Sequence, residues 1–139
     1  MELFGRVVSG CFSLVMVVVF LVGFAAFVED RVRVHRFRRR FKGKHVLVCS
    51  TRHGWHDFIV NNVAPVLPEG STVEWNRHFA VLRVLRMRGK LPLLMHVGRR
   101  IRGVSLNERL LPLRGNAKRD AETQRRVAEI VAAAQREIA

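Results

Sequence analysis

The 139-residue sequence predicts an α/β protein in which one N-terminal transmembrane helix precedes a small domain of order β-α-β-α-β-β-α. Three observations predict it. An uncharged run from Val7 to Val28 is long enough to cross a bilayer, a dense basic segment follows it, and beyond Gly43 short apolar runs of strand length alternate with stretches of helical period. The chain divides accordingly into a short tail (1–6), the transmembrane helix (7–28), a basic juxtamembrane segment (29–44) and a small α/β domain (45–139).

The apolar run reads VVSGCFSLVMVVVFLVGFAAFV. As a helix it rises roughly 33 Å, close to the roughly 30 Å thickness of the hydrocarbon core. Two plainer readings compete with an anchor: a signal peptide cleaved near Gly23-Phe24-Ala25, and a buried helix of a soluble protein. The charge before the run is weak, Glu2 against Arg6 and the amino terminus, and the run exceeds the usual signal core of about 7–15 residues. The anchor is therefore the reading adopted.

Arg31, Arg33, Arg36, Arg38, Arg39, Arg40, Lys42 and Lys44 follow the run, against Arg6 alone on its other side. The positive-inside bias then places the N-terminus outside and the C-terminal domain in the cytoplasm, in a single-pass arrangement in the cell membrane. Val34, Phe37 and Phe41 fall at i, i+3 and i+7. A helix continuing out of the membrane is expected to lay this stripe in the interface while Arg36, Arg38, Arg39, Arg40 and Lys42 meet anionic lipid headgroups. A solvated basic linker that only fixes topology has the same composition.

The formal charge of +14, with 21 Arg and 4 Lys, predicts attraction to phospholipid headgroups, nucleic acid or acidic protein. The place of the basic run beside an anchor favours lipid over nucleic acid or nuclear targeting. Tyr is absent and few aromatics stand outside the core pattern, which argues against a platform for stacking single strands. A nucleic-acid binder would also show a steep fall of affinity with salt. Cys11 and Cys49 lie in different settings, so no disulfide is expected between them.

Within the domain, His45 to Ser50 contains four apolar residues in succession, Val46-Leu47-Val48-Cys49, the pattern of a central strand covered on both faces. Asp57 is placed to cap a following helix with Ile59, Val63 and Val66 or Leu67 on one side, which Pro65 kinks or shortens. Ser71 to Trp75 reads as a second strand, and His78 to Arg88 as a helix burying Phe79, Leu82 and Leu85. Leu91 to Val97 and Ile101 to Leu106 form a hairpin about Gly98-Arg99-Arg100. A loop with Pro112 and Gly115 leads to a closing helix from about Ala117, capped by Asn116, with an apolar stripe of Val127, Ile130, Val131, Ala134 and Ile138.

This order, with Pro92 opening the strand into the hairpin, Trp55 before the first domain helix and Ala64-Pro65-Val66-Leu67 within it, resembles the thioredoxin-like fold over about residues 44–139. The resemblance implies a cis-proline at Pro92 and a last helix packed back on the sheet. The chain departs from that family at its reactive motif: where thioredoxins place Cys-x-x-Cys after the tryptophan, it has His56-Asp57-Phe58-Ile59. Dithiol exchange needs an attacking thiolate and a resolving thiol, and neither stands there. A fainter resemblance is to membrane-anchored glycosyltransferase subunits of the nucleotide-sugar type. Those carry a glycine-rich turn where this chain has Ser50-Thr51-Arg52-His53-Gly54.

The loop after the first strand, Ser50 to Asp57, gathers the candidate functional residues. Ser50, Thr51 and Arg52 are placed to hold a phosphate or carboxylate at the helix N-terminus. His53, His56 and Asp57, with His78, are candidates for general acid/base chemistry or a metal site, since imidazole titrates near neutral pH and a carboxylate orients it. The plainer reading makes Asp57 a cap, Trp55 a core residue and the histidines ordinary polar groups, with no metal and no cofactor. His96 reads as a sheet residue. Arg83, Arg86 and Lys90, and the hairpin arginines Arg99, Arg100 and Arg102, are either solvated faces or further contacts to an anionic bilayer. The expected function is a redox-inactive interaction or scaffold module presented to a protein partner at the cytoplasmic face. The alternative is a membrane-anchored enzyme or ligand-binding domain using the 50–57 loop on a phosphate-bearing substrate.

Overall fold

The computed structural model describes residues 2–51, 54–75, 79–84, 86–87, 91–115 and 118–139. Helix α1, Glu2–Phe41, runs unbroken for 40 residues, so the basic segment is helical and continuous with the apolar one. Among the described residues it is the one helix long and apolar enough to cross a membrane, and the apolar window within Phe12–Phe41 is not buried by the protein. Glu29 pairs with Arg33 one turn on, supporting the helix past the apolar run. The helix stops at Gly43, whose φ of 77° suits a residue without Cβ. The Gly43 N–H donates to the Val97 carbonyl at 2.7 Å, reversing the chain into the sheet.

The sheet has four strands: β1 (His45–Cys49), β2 (Thr72–Trp75), β3 (Leu93–Val97) and β4 (Ile101–Ser105), in the order β2-β1-β3-β4. β2 is parallel to β1, and β3 is antiparallel to both β1 and β4. Residues 46–49 are buried, as the apolar run implies, because each face of β1 is covered. On one face Leu47, Cys49 and Leu94 meet Phe58, Ile59, Val63, Val127 and Val131. On the other Val46, Val48, Leu93, Met95 and Val97 meet Val81, Leu82, Phe37 and Phe41.

The last two residues correct the expectation for the juxtamembrane stripe. Phe37 and Phe41, each 3 % exposed, dock on the sheet rather than in the lipid interface, with Val34 packed beside them. Covering one whole face of a small sheet removes far more apolar surface from water than six-residue α3 (Phe79–Val84) can cover alone. α1 also pairs Asp30 with Arg83 of α3 at 3.2 Å and Arg40 with Glu74 of β2 at 3.5 Å.

Helix α2 spans only His56–Phe58 before widening into a π-helix, Ile59–Val63, and a 3₁₀ turn, Ala64–Val66. Pro65 explains the change. It cannot donate to the carbonyl four residues back, that of Asn61, which instead accepts from Gln124 Nε2 at 2.9 Å. α3 ends with Arg86 at φ 56°, and the Met87 N–H bonds the Leu82 carbonyl at 2.9 Å, a terminus that usually takes glycine. His78, Leu85, Arg88 and Lys90 lie outside the described residues, so the helix expected from His78 to Arg88 is described over Phe79–Val84.

The loop after the hairpin holds an unforeseen helix, α4 (Asn107–Leu110), continued by a 3₁₀ turn at Leu111–Leu113, with Leu106 and Leu110 fully buried. The closing helix α5 begins later than expected, at Ala121–Ile138, and its cap is Asp120. The Asp120 carboxylate accepts from the Thr123 N–H at 2.9 Å and hydroxyl at 2.6 Å, which holds its pKa below the usual value. Asn116 and Ala117, where the cap and start were expected, lie outside the described residues. Buried Asn62 fixes the approach to α5, donating to the Lys118 carbonyl at 3.1 Å and accepting from the Asp120 N–H at 3.3 Å.

Candidate functional site

The carboxyl ends of β1 and β2, the start of α2 and the start of β3 meet at one end of the sheet. Cys49 and Trp75 are register partners there, and the Leu91–Pro92 peptide that leads into β3 is cis. Ser50 is half-buried at the strand end and Thr51 is exposed, while Arg52 and His53 lie outside the described residues. Gly54 takes φ 88°, and a Cβ there would stand 2.8 Å from Arg114 Nη2. The Arg114 guanidinium lies 5.2 Å from the Trp55 ring centroid, and Trp55 packs edge-on against Phe58.

His56 is held on two sides. Its ring lies 4.7 Å from that of Trp75, and Nδ1 stands 3.2 Å from the Asp57 carboxylate. Asp57 does not cap the helix. It sits in the first turn, and the N-cap position is taken by Trp55, which makes no side-chain cap. The side chains of His56 and Asp57 are 60 % and 76 % exposed, so the pair lacks the water exclusion that strengthens acid/base chemistry.

Cys49 is a free, buried thiol whose pKa burial pushes up to about 12. At neutral pH it is protonated and inaccessible, so it is not a nucleophile. Among the described residues no group of three His, Cys, Asp or Glu side chains is placed to hold a metal ion. His78 is outside that set, and His96 is at the opposite end of the sheet, its ring 4.8 Å from His45.

Sequence reasoning missed Arg114 and Trp75 as neighbours of this loop. Arg114 is 60 residues beyond Gly54 in a segment that reads only as a connection, and no local pattern ties the two. Arg36, Arg38, Arg39 and Arg40 on α1 and Lys42 just beyond it are exposed, and Arg40 also reaches toward buried Glu74 and stacks 5.0 Å from the Phe41 ring. Comparison with protein-family models, with curated proteins and with solved structures gave no match.

Proposed function

We propose that the chain is a single-pass membrane protein that presents a redox-inactive, thioredoxin-like domain at the cytoplasmic face as an interaction module. The observation that carries this reading is the docking of α1. One helix leads from an apolar span directly onto the sheet, where Phe37 and Phe41 are buried, so the domain is held rigidly rather than tethered. The cis Leu91–Pro92 peptide before β3 and α5 packed on the sheet support the thioredoxin-like assignment. Buried Cys49 and the absence of a second cysteine nearby support the loss of redox chemistry.

On this reading the docking of α1 also orients the domain. The chain reverses at Gly43, so β1 runs back alongside the last three turns of α1, and Cys49 comes level with about Asp30. The 50–57 loop and Pro92 then face the bilayer, and the β3–β4 turn faces away from it. Arg36 stands about 12 Å and Lys42 about 21 Å beyond Val28 along α1. In a helix near the bilayer normal, Arg31 and Arg33 therefore touch headgroups, while Arg36, Arg38, Arg39, Arg40 and Lys42 sense the weaker outer part of the negative surface potential.

Cysteine accessibility in intact cells tests the topology. In a background lacking Cys11 and Cys49, Arg100→Cys is expected to resist an impermeant maleimide until the cells are lysed, and Glu2→Cys to react at once. The reverse pattern would refute the orientation. The interaction reading further predicts that photocross-linking from Arg99, exposed in the β3–β4 turn that faces away from the bilayer, gives a discrete adduct unchanged by His56→Ala. A turnover of a phosphate-bearing substrate that His56→Ala abolishes would replace it with an enzyme.

A further inference from the structure

Among the described residues, the most exposed large apolar side chain of the domain is in the turn that follows β4. Past Leu106 the chain makes α4 and then the 3₁₀ turn Leu111–Leu113. Leu106 and Leu110 are fully buried and Leu113 packs against the same core, whereas Leu111 is 52 % exposed with exposed Pro112 beside it. The turn is thus rooted in the core and presents an apolar tip. A single exposed leucine is ordinary on a protein surface. What sets Leu111 apart is its place.

Two contacts fix that place. The Leu106 N–H donates to the Pro92 carbonyl at 2.8 Å, and Arg114 lies over the Trp55 ring and against Gly54. The turn is held at the end of the sheet where β1 and β2 finish, the end that faces the bilayer in the proposed orientation. Its buried residues belong to the face covered by α5, while α1 covers the other. At roughly 10 Å per layer, the turn is roughly 20 Å from the α1 axis, across the sheet. Asp30, level with the end of β1, is about 3 Å along the helix beyond Val28, and the headgroup layer is about 5–8 Å deep on each side of the hydrocarbon. The loops past the strand ends are then within that layer. A helix tilt of about 20°, ordinary for a membrane span, moves a point roughly 20 Å away by about 7 Å, enough to bring Leu111 to the hydrocarbon boundary.

The charge pattern suits that placement. From Asn107 to Arg119 the chain has four basic residues, Arg109, Arg114, Lys118 and Arg119, against one acidic residue, Glu108. Arg109 is engaged by Glu137 at 2.6 Å, so the other three form the flank of the tip. An apolar tip with basic flanks is the composition of an interfacial contact to anionic lipid. We propose that Leu111 and Pro112 insert into the headgroup layer of the membrane that α1 crosses, with Arg114, Lys118 and Arg119 meeting anionic headgroups. This contact presupposes that α1 spans the membrane. A span alone leaves the tilt of the domain open; a second contact across the sheet from α1 fixes it, and with it the surface presented to a partner.

An environment-sensitive fluorophore tests the contact in the full chain, reconstituted into vesicles of phosphatidylcholine with a minority of phosphatidylglycerol and carried on single cysteines in a background lacking Cys11 and Cys49. At Phe20→Cys, within the apolar span, the label should be blue-shifted and quenched by lipid with a nitroxide deep in its acyl chain. At Leu111→Cys it should be blue-shifted and quenched by a nitroxide near the headgroup, and at Arg99→Cys it should show neither. Because the label is itself apolar, a second measurement uses none. Trp55 and Trp75, the only tryptophans, are both at this end, so their quenching by lipid brominated near the headgroup reports its approach. Leu111→Asp should lose most of that quenching while the unfolding transition stays in place, because the side chain is exposed. A Leu111 label that stays in water while the Phe20 label is quenched, or tryptophan quenching unchanged by Leu111→Asp, would overturn the tip and leave the span standing. A Phe20 label in water would overturn the span and the tip with it.

Discussion

If α1 is part of the domain, Phe37→Ala should unfold the sheet more easily although the residue belongs to a helix that begins in an apolar span. Phe37 is 3 % exposed and its ring centroid lies 4.8 Å from that of Phe41, among Val46, Val48, Met95 and Val97. Burying a phenylalanine contributes about 2–3 kcal/mol, and the cavity left by truncation raises the cost of Phe→Ala to about 3–5 kcal/mol. α1 can shift to close part of the gap, so about 3 kcal/mol is expected. For a domain of this size that is a large share of a total of about 5–15 kcal/mol. With a urea dependence of about 1.5 kcal/mol per molar, the midpoint should fall by about 2 M. The assay is urea unfolding of the full chain in neutral micelles, followed by fluorescence. Trp55 and Trp75 are the only tryptophans, and both pack on the far side of the sheet, so they report the domain and not the helix. Phe24→Ala, 56 % exposed in the apolar span, is the control. A midpoint shift for Phe37→Ala no larger than the control's would mean that the stripe does not hold the sheet. Phe37→Ala with Phe41→Ala should fall short of additivity, because the rings touch.

Three further outcomes follow from the same packing. In a Cys11→Ser background, Cys49 should react with a disulfide reagent at pH 8 only as fast as the domain opens, since its thiol pKa is about 12; rapid labelling of the native state would contradict the buried thiol. Asn62→Leu should cost about 1–3 kcal/mol by orphaning the Lys118 carbonyl and the Asp120 N–H, and Asp120→Ala about 1 kcal/mol, with the double variant sub-additive; a neutral Asn62→Leu would mean water serves those groups. Burial, then neighbouring His96, lowers the pKa of His45 from 6.5, so below that pH the unfolded chain binds the extra proton first. Stability should be level above pH 6.5 and decline below it until the folded pKa is passed. His96 on β3 and Arg102 on β4 lie beside it in register. His45→Gln should flatten the decline, and an unchanged profile would assign it elsewhere.

Strands were legible in the sequence wherever one rule sufficed. The apolar run of β1 implied two covered faces, and the glycine between two apolar runs implied the β3–β4 hairpin. Helix limits were less legible, because distant partners set them. Arg86 ends α3 in a conformation that normally signals itself by glycine, and Asp120, not Asn116, caps α5 because Asn62 holds the preceding backbone. The π-helical widening at Ile59–Val63 is a response to Pro65 that Gln124 makes tolerable, and Gln124 is silent in any local window. The candidate loop was legible as a concentration of polar residues but not as geometry: Arg114 and Trp75, which shape it, come from other elements.

The stripe Val34, Phe37 and Phe41 shows why local patterning does not decide what an amphipathic helix packs against. An amphipathic helix beside an anchor has two apolar surfaces available to it, lipid and its own domain, and its sequence is compatible with both. What decides is the unmet demand of the sheet. Among the described side chains α3 contributes Val81 and Leu82 to a face that presents Val46, Val48, Leu93, Met95 and Val97, and Phe37 and Phe41 of α1 complete the cover. Once docked, α1 gives the two ends of the sheet different surroundings. The end at the carboxyl termini of β1 and β2 carries the exposed Asp57 carboxylate and faces the bilayer in the orientation proposed. The other end gathers Arg99, Arg100, Arg102 and His96 around a cavity, with Arg102 Nη1 2.9 Å from the Ala139 backbone oxygen. A change at Phe37 that loosened α1 would thus be expected to alter how the domain is presented while leaving the His96 cavity itself intact, because no residue of α1 lines it.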